Sequence, residues 1–305
     1  YNYIFDELFH AFSWVVQDYV HGDREEIPEF LRFFNQELIE GIKAFNASVD
    51  EDQKMNLVYF DLNHWSDNFI KALDLVEGEI GDQPLFEEIF NQTANSSAYI
   101  TALNDMQTLL SGQEANYRAE LGNLWYDRLV DMLEVELVSV QFRNVRDDRA
   151  REEQMFDNLM AHLDLNTSSK YLVNTGMSHA QKNNYMSNST TRIGAMLTSV
   201  TDNLHTVSFI GLSGERKFRF YETDHLVFDL SQSVSVNDMT SYLSEFSANQ
   251  MSYLPLSDDH FTDNLQKISY SEGTTIFAHV GRQFDAIICY PSISVLNSMD
   301  EFDWQ

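Results

Sequence analysis

The sequence holds a single cysteine in 305 residues. Cys289 therefore has no partner within the chain, which excludes an internal disulfide and a thiolate metal cluster. It sits in the apolar run Ala286-Ile287-Ile288-Cys289-Tyr290, which reads as a buried strand with the thiol as a small hydrophobe. Only 4 prolines and 12 glycines are present, no linker-like stretch divides the chain and no internal repeat is found. One domain over residues 1–305 is expected. No apolar run approaches the ~18 residues that a bilayer span needs, so a soluble protein without membrane insertion is expected. Positive charge is scarce as well. Nineteen Lys and Arg against 48 Asp and Glu give a net charge of −29, a surface that repels phosphate backbones and anionic lipid. Nucleic acid is not an expected partner. Phosphate-cradling Gly-x-x-x-x-Gly-Lys, dinucleotide Gly-x-Gly-x-x-Gly, Gly-x-Ser-x-Gly and His-Glu-x-x-His are all missing. Phosphoryl transfer, dinucleotide redox chemistry and the usual serine-hydrolase arrangement are therefore not expected.

What is present argues for a folded α/β protein. Hydrophobic residues reach 43% and aromatics 13%, enough for a substantial core. The first strand is expected over residues 1–5, followed by a helix from about Leu8 to Val20. A second helix is expected from Glu25 to Phe45, with Asp23 as N-cap and Glu26 three residues on. Asn56 to Phe60 reads as the next strand. From Ser66 to about Leu163 the spacing is almost wholly helical, with a long amphipathic stretch from Glu114 through Met160. Further strands are expected at Lys170–Asn174, His205–Ile210, Phe218–Tyr221, Leu226–Leu230, Thr274–His279 and Phe284–Tyr290. Alternating strands and helices imply a mostly parallel sheet flanked by helices. The helix-only block at about 66–142 reads as a large helical insertion or cap.

In an open α/β sheet, ligands bind beyond the carboxyl ends of the strands. Three strand ends deliver polar groups there: Asp6-Glu7, then Asp61-Leu62-Asn63-His64, and Gly176-Met177-Ser178-His179. Each has a plainer reading, with Asp6, Glu7, Asp61 and Asn63 as helix caps. His179 follows a Gly-containing turn that brings backbone close to a ligand. Arg143, Arg146, Arg149 and Arg151 place four of twelve arginines within nine residues. They read as an anion or carbonyl site, or as a solvated helix paired with Asp147, Asp148, Glu152 and Glu153.

Several segments together resemble the erythromycin esterase-like family, within a wider superfamily of haem-uptake lipoproteins and Tiki-type proteases. Arg151-Glu152-Glu153-Gln154-Met155-Phe156-Asp157-Asn158-Leu159 resembles that family's Arg-Asp-x-x-Met-Ala-x-Asn-Leu helix. Tyr171 through His179 looks like its strand ending in His-Asn-x-His, with Gly176 in place of the first histidine. Ile193-Gly194-Ala195-Met196-Leu197 is similar to its Met-Gly-x-x-Leu helix, and Phe284-Asp285-Ala286-Ile287-Ile288 to its closing strand. Phe33-Phe34-Asn35 and Phe60-Asp61 match its helix ending in Tyr-Asn and its Gly-Ile-Asp strand end.

The resemblance implies an ester or lactone hydrolase of small-molecule substrates that needs no cofactor. Glu7, Arg151 and His179 are its implied catalytic residues; Asp61 and His64 from the strand end and Arg149 from the arginine cluster are expected to bind substrate. A His–carboxylate pair would activate water, while Arg151 and His179 orient the substrate or steady the oxyanion. By position Glu7 resembles the second of the family's two glutamates. Its Gly-Glu-x-x-His element is expected to lie before Tyr1, where the chain opens in mid-element. The alternatives are a haem- or metal-binding protein using His179, His64 and Glu7, and an inactive scaffold. A bacterial periplasmic, secreted or cytoplasmic location fits the composition equally.

Overall fold

The computed structural model describes residues 2–165, 169–176, 178–183, 190–211, 213–217, 225–229, 251–263, 266–271 and 274–290. The chain divides into two compact units, Tyr1–Thr175 and Gly176–Gln305. The first unit is built on a three-stranded parallel sheet. Strand β1 (Tyr3–Phe9) lies between β2 (Asn56–Asp61) and β3 (Tyr171–Asn174). In β2 every residue after Asn56 is buried, as a parallel strand covered on both faces requires. The first strand is longer than its expected end at Phe5. Leu8 and Phe9 are buried, and a register shift between Asp6 and Phe9 lets the strand carry two carboxylates before resuming its pairing with β2. Asp6 and Glu7 thus stand within β1 and not beyond it.

A short 3-10 turn (His10–Phe12) leads into α1 (Ser13–His21) and then α2 (Glu29–Asn46). The second helix starts four residues later than expected because Pro28 is its N-cap, not Asp23. A proline cannot sit in the helix interior, but its fixed φ suits the entry. The helix breaks at Asn35, whose φ of −156° and ψ of 48° are not helical. Helices α3 (Asn68–Ile80), α4 (Pro84–Phe90), α5 (Ser97–Gly112), α6 (Glu114–Leu121), α7 (Asn123–Val145) and α8 (Asp148–Met160) follow. The stretch from Glu114 to Met160 is broken at Gly122 (φ 81°) and Arg146 (φ 55°). Arg146 adopts the left-handed conformation at the end of α7, so the four arginines do not share one helix face. Phe5, Phe12, Leu57, Phe69, Leu103 and Leu129 are fully buried in the core of this unit, each worth about 1.5–3 kcal/mol of burial.

The second unit holds α9 (Ile193–Val200) and a mixed sheet. Its middle strand β10 (Ala286–Tyr290) runs parallel to β4 (Val207–Gly211) and antiparallel to β7 (Ser252–Pro255). Two antiparallel hairpins stand apart, β5 (Ser213–Lys217) with β6 (His225–Asp229) and β8 (Gln266–Ser271) with β9 (Thr274–Ala278). Two residues separate β8 from β9, too few for a parallel crossover. Strands β5, β7 and β8 were not expected from the sequence, and Phe218–Tyr221 lies outside the described residues. Helices α10 (Asp259–Asp263) and α11 (Val280–Gln283) pack Phe261 and Val280 into a core with Leu254, Leu256, Phe284, Ile287 and Cys289. Cys289 is fully buried, as its apolar run implied.

Gly194 has a steric reason for its identity. A Cβ there would lie 2.5 Å from the Ala180 carbonyl oxygen and 2.6 Å from that of Gln181. Its N–H donates to the His179 carbonyl at 2.8 Å, so the segment cannot retreat without losing that bond. Gly194→Ala is expected to lower stability by about 1–3 kcal/mol, read as a lower thermal midpoint by circular dichroism. An unchanged midpoint would contradict the packing.

Candidate active site

Successive side chains of a strand point to opposite faces, so Asp6 and Glu7 enter different surroundings. Asp6 is buried and accepts hydrogen bonds from the amides of Asn174, at 2.7 Å, and of Asn35. The Tyr59 hydroxyl is buried without a hydrogen-bond partner among the described residues. Burial, helped by the charge of Asp6, pushes that phenol well above its ordinary range.

Glu7 meets the arginine that the sequence singles out. The Asp147 side chain caps α8 by accepting from the Arg149 and Ala150 N–H groups, which places Arg151 in the first turn. Arg151 Nε donates to Asp61 Oδ1 at 3.0 Å, and Nη2 donates to Asp61 Oδ2 at 2.7 Å and to Glu7 Oε1 at 2.9 Å. This fork-on-carboxylate geometry is strong and directional. The second Glu7 oxygen accepts from the Thr175 hydroxyl. Asp61, at the end of β2, also accepts the Leu62 N–H at 2.7 Å and pairs through Oδ2 with His64 Nε2 at 2.7 Å. Burial alone would raise the Asp61 carboxyl, but hydrogen bonds and charge from His64 and Arg151 hold it well below the usual carboxylate range. Burial opposes the charge of Arg151, yet its bonds to Asp61 and the nearby carboxylates raise it above its ordinary value.

Two donors or acceptors of this cluster remain uncommitted. The carboxylate can only accept, so His64 Nε2 donates to it, and Nδ1 is the nitrogen that accepts whenever the ring is neutral. His64 Nδ1 and Arg151 Nη1 make no hydrogen bond to the described residues. The imidazole is held edge-on against Phe9 and Phe142, with ring centres at 6.3 and 5.5 Å. Asp61 is only 4% exposed, while Arg151, Glu7 and His64 are 16%, 20% and 26% exposed. A buried carboxylate thus supports three groups that water can reach.

Of the six residues expected at the site, Glu7, Asp61, His64 and Arg151 form this cluster. Arg149 does not join them. Two positions along a helix from Arg151, it points to the other side, is 71% exposed and donates to Glu153 at 2.7 Å. His179 belongs to the second unit, in a turn where its N–H bonds the Gly176 carbonyl at 2.9 Å. Its neighbour Met177 lies outside the described residues. Among the described residues no three His, Cys, Asp or Glu side chains come together as a metal site. Glu7 and His64, two members of the metal alternative, are engaged by Arg151 and Asp61 respectively.

One histidine escaped the sequence reading. His10 is buried just past β1, with Nδ1 3.0 Å from the Tyr59 carbonyl and Nε2 2.7 Å from Asp131 Oδ2. Both neighbours only accept, so both ring nitrogens must donate and the ring is an imidazolium. Burial works against that charge, but the Asp131 carboxylate and both hydrogen bonds raise the His10 pKa overall. The signal was its spacing, Glu7-Leu8-Phe9-His10. A raised folded-state pKa adds stability that is full below the unfolded value of about 6.5 and is lost as pH rises through the folded value. His162, the other charge acting on this pair, is lowered by its own burial and by His10, which gives the opposite slope. Because His10 itself lowers His162, both proteins compared carry His162→Gln. The unfolding free energy of His162→Gln minus that of His10→Gln/His162→Gln is expected to shrink as pH rises above about 6.5, in denaturant titrations. A difference that grows with pH would contradict the charged ring.

No family model matches the sequence, and no curated protein matches it. Solved structures do match. A succinoglycan biosynthesis protein superposes with a TM-score of 0.64 at 14% identity, over 96% of this chain and 80% of that one. A protein from Bacillus cereus gives 0.65 at 12% identity, over 96% and 81%. A mutant of the erythromycin esterase EreC in its open conformation gives 0.62 at 13% identity, over 96% and 83%. At these identities the likeness establishes architecture: this chain has the α/β fold shared by the erythromycin esterase EreC and these two proteins.

Proposed function

We propose that the chain is a hydrolase of the erythromycin esterase-like superfamily that cleaves a small-molecule ester or lactone by direct attack of water. The observation that carries this reading is the cluster of Arg151, Glu7, Asp61 and His64 at the carboxyl ends of β1 and β2. The fold likeness and the resemblance of the Arg151 helix support it. Asp61 holds the imidazole in the tautomer whose Nδ1 accepts a proton from water. The water oxygen bonds to the acyl carbon as that proton moves to His64. Arg151 Nη1 donates to the carbonyl oxygen as it gains charge. Collapse breaks the acyl–oxygen bond, and His64 returns its proton to the leaving alkoxide. A carboxylic acid and an alcohol result, joined as one hydroxy acid when the substrate is a lactone.

Glu7 keeps Arg151 oriented from the side opposite Asp61. From the sequence, the family's Gly-Glu-x-x-His element is expected before Tyr1, with Glu7 as the second glutamate. Glu7 and His10 themselves carry the Glu-x-x-His spacing, however, with Asp6 in the glycine's position, and that correspondence replaces the expected one. In that correspondence Glu7 answers to the first glutamate, and Asp61 at the end of β2 to the second. His10 then serves as a buried support through Asp131, since neither ring nitrogen is available as a base. The resemblance also gives His179 a supporting role. The test is a panel of esters and lactones offered to the purified protein and to His179→Ala. Turnover of at least one substrate by wild type, reduced in the variant, is expected. A protein inert across the panel would overturn the hydrolase reading, and equal turnover by both would remove His179 from it.

A further inference from the structure

The loop that carries His64 is not fixed by the site alone. Asn63, its immediate neighbour, is fully buried and uses every polar group it has. Its N–H donates to Ser139 Oγ at 2.9 Å, its side-chain amide donates to Glu136 Oε2 at 3.0 Å, and its side-chain oxygen accepts the Ala11 N–H at 3.2 Å. Its carbonyl accepts from Arg143 Nη1. Arg143 Nη2 in turn bonds Glu136 Oε1 at 2.6 Å, and Nε bonds Asn95 Oδ1 at 2.7 Å. The Tyr99 hydroxyl completes the Glu136 carboxylate at 2.9 Å. The pair is sealed from water, with Glu136 0% and Arg143 7% exposed.

A buried ion pair is costly to form and is weak evidence of stability for its own sake. Here the pair grips the backbone one residue before His64, and Phe142, beside Arg143 on α7, supplies one of the rings that hold the imidazole. We propose that Arg143 and Glu136 are positioning residues: through Asn63 they set where His64 stands relative to Asp61. A displacement of an ångström at a reacting group is enough to cost about 100-fold in rate, so the expense of the pair has a return in geometry. Arg143, one of the four clustered arginines, thereby acts through the loop, not on substrate.

The kinetic arm of the test rests on the hydrolase reading, while the spectroscopic arm does not. The full chain is labelled at its histidines, and the His64 ring signals are identified by their loss in His64→Gln. Those signals are expected to be displaced by the ring currents of Phe9 and Phe142, which lie edge-on to the imidazole, and so to report its position. In the charge-neutral double variant Glu136→Gln/Arg143→Gln the signals are expected to move toward those of an unconstrained histidine, in a protein whose circular dichroism remains native. On the substrate found in the panel, kcat is expected to fall by about 10- to 100-fold with KM within about twofold. Arg143→Lys keeps the buried charge on Glu136 neutralised but cannot reach Glu136, Asn63 and Asn95 together. It decides the matter if the double variant does not fold, and an intermediate displacement is expected. A folded variant of either kind with His64 signals at the wild-type positions would overturn the proposal, even if the protein proved to have no esterase activity.

Discussion

Arg151→Met is expected to reduce kcat/KM by about 10³-fold, the scale seen when one oxyanion-stabilising donor is removed, and to destabilise the first unit as well. The methionine fills a similar volume but leaves Asp61, 4% exposed, and Glu7 without their shared cation. Removing one member of a desolvated pair costs about 3–5 kcal/mol when both partners are buried. Glu7 is 20% exposed and recovers part of its hydration, which puts the expected loss toward the lower end. Arg151→Lys should fare little better in activity, because an ammonium cannot donate in parallel to both Asp61 oxygens and still reach Glu7. Urea unfolding and ester turnover check the two effects separately. A variant of wild-type stability with intact turnover would show that the fork has no role.

Asp61→Asn is expected to lose about 10²–10⁴-fold in kcat with little change in KM. The substitution is nearly isosteric, so the chief consequence is electronic. An amide nitrogen can replace the oxygen that faces His64, which removes the acceptor that holds the Nε2 proton. The imidazole is then free to present either nitrogen protonated, and the base is lost from part of the population. Stability should also change its dependence on pH. A carboxyl whose folded pKa is depressed contributes stability above its unfolded value of about 3.9, lost as pH falls toward the folded value. Wild type should therefore lose an increment of stability as pH falls below about 4 that Asp61→Asn lacks. Identical acid denaturation curves for the two proteins would contradict the depressed carboxyl.

Much of this was legible in the amino acids, and the failures have physical causes. The parallel alternation of apolar strands and amphipathic helices marked the α/β class, and β2 appeared within one residue of its expected limits. Glu7, Asp61, His64 and Arg151 were marked as candidates before any contact was visible. The rule that ligands collect at the carboxyl ends of strands pointed to Glu7, Asp61 and His64, and the arginine cluster and the resemblance of its helix pointed to Arg151. The end of β1 was misjudged because a charged Asp6-Glu7 pair looks like a strand end, whereas a bulge accommodates it. Arg149 and Arg151 looked equivalent in a cluster counted by density. The family resemblance set Arg151 apart, and the phase of α8 shows physically why Arg149 is exposed and Arg151 is in the site. Arg143 reads from the sequence as either an anion site or a solvated charge. Glu136, two turns back on the same face of α7, is in reach by spacing, but nothing in a linear sequence shows that Asn63, 80 positions upstream, closes around it and that the pair is buried. The antiparallel hairpins of the second unit were hidden by short, weakly alternating strands such as Ser213–Lys217.

The central claim is that His64, set by Asp61, takes the proton from the attacking water. Its most direct measurement is kcat/KM of wild type and His64→Gln on the best substrate of the panel, with thermal unfolding recorded for both. His64 is partly exposed and holds no buried pair together except through Asp61, so the variant should fold. A fall of at least about 100-fold with a similar thermal midpoint is predicted; equal turnover by a folded His64→Gln protein would contradict the account.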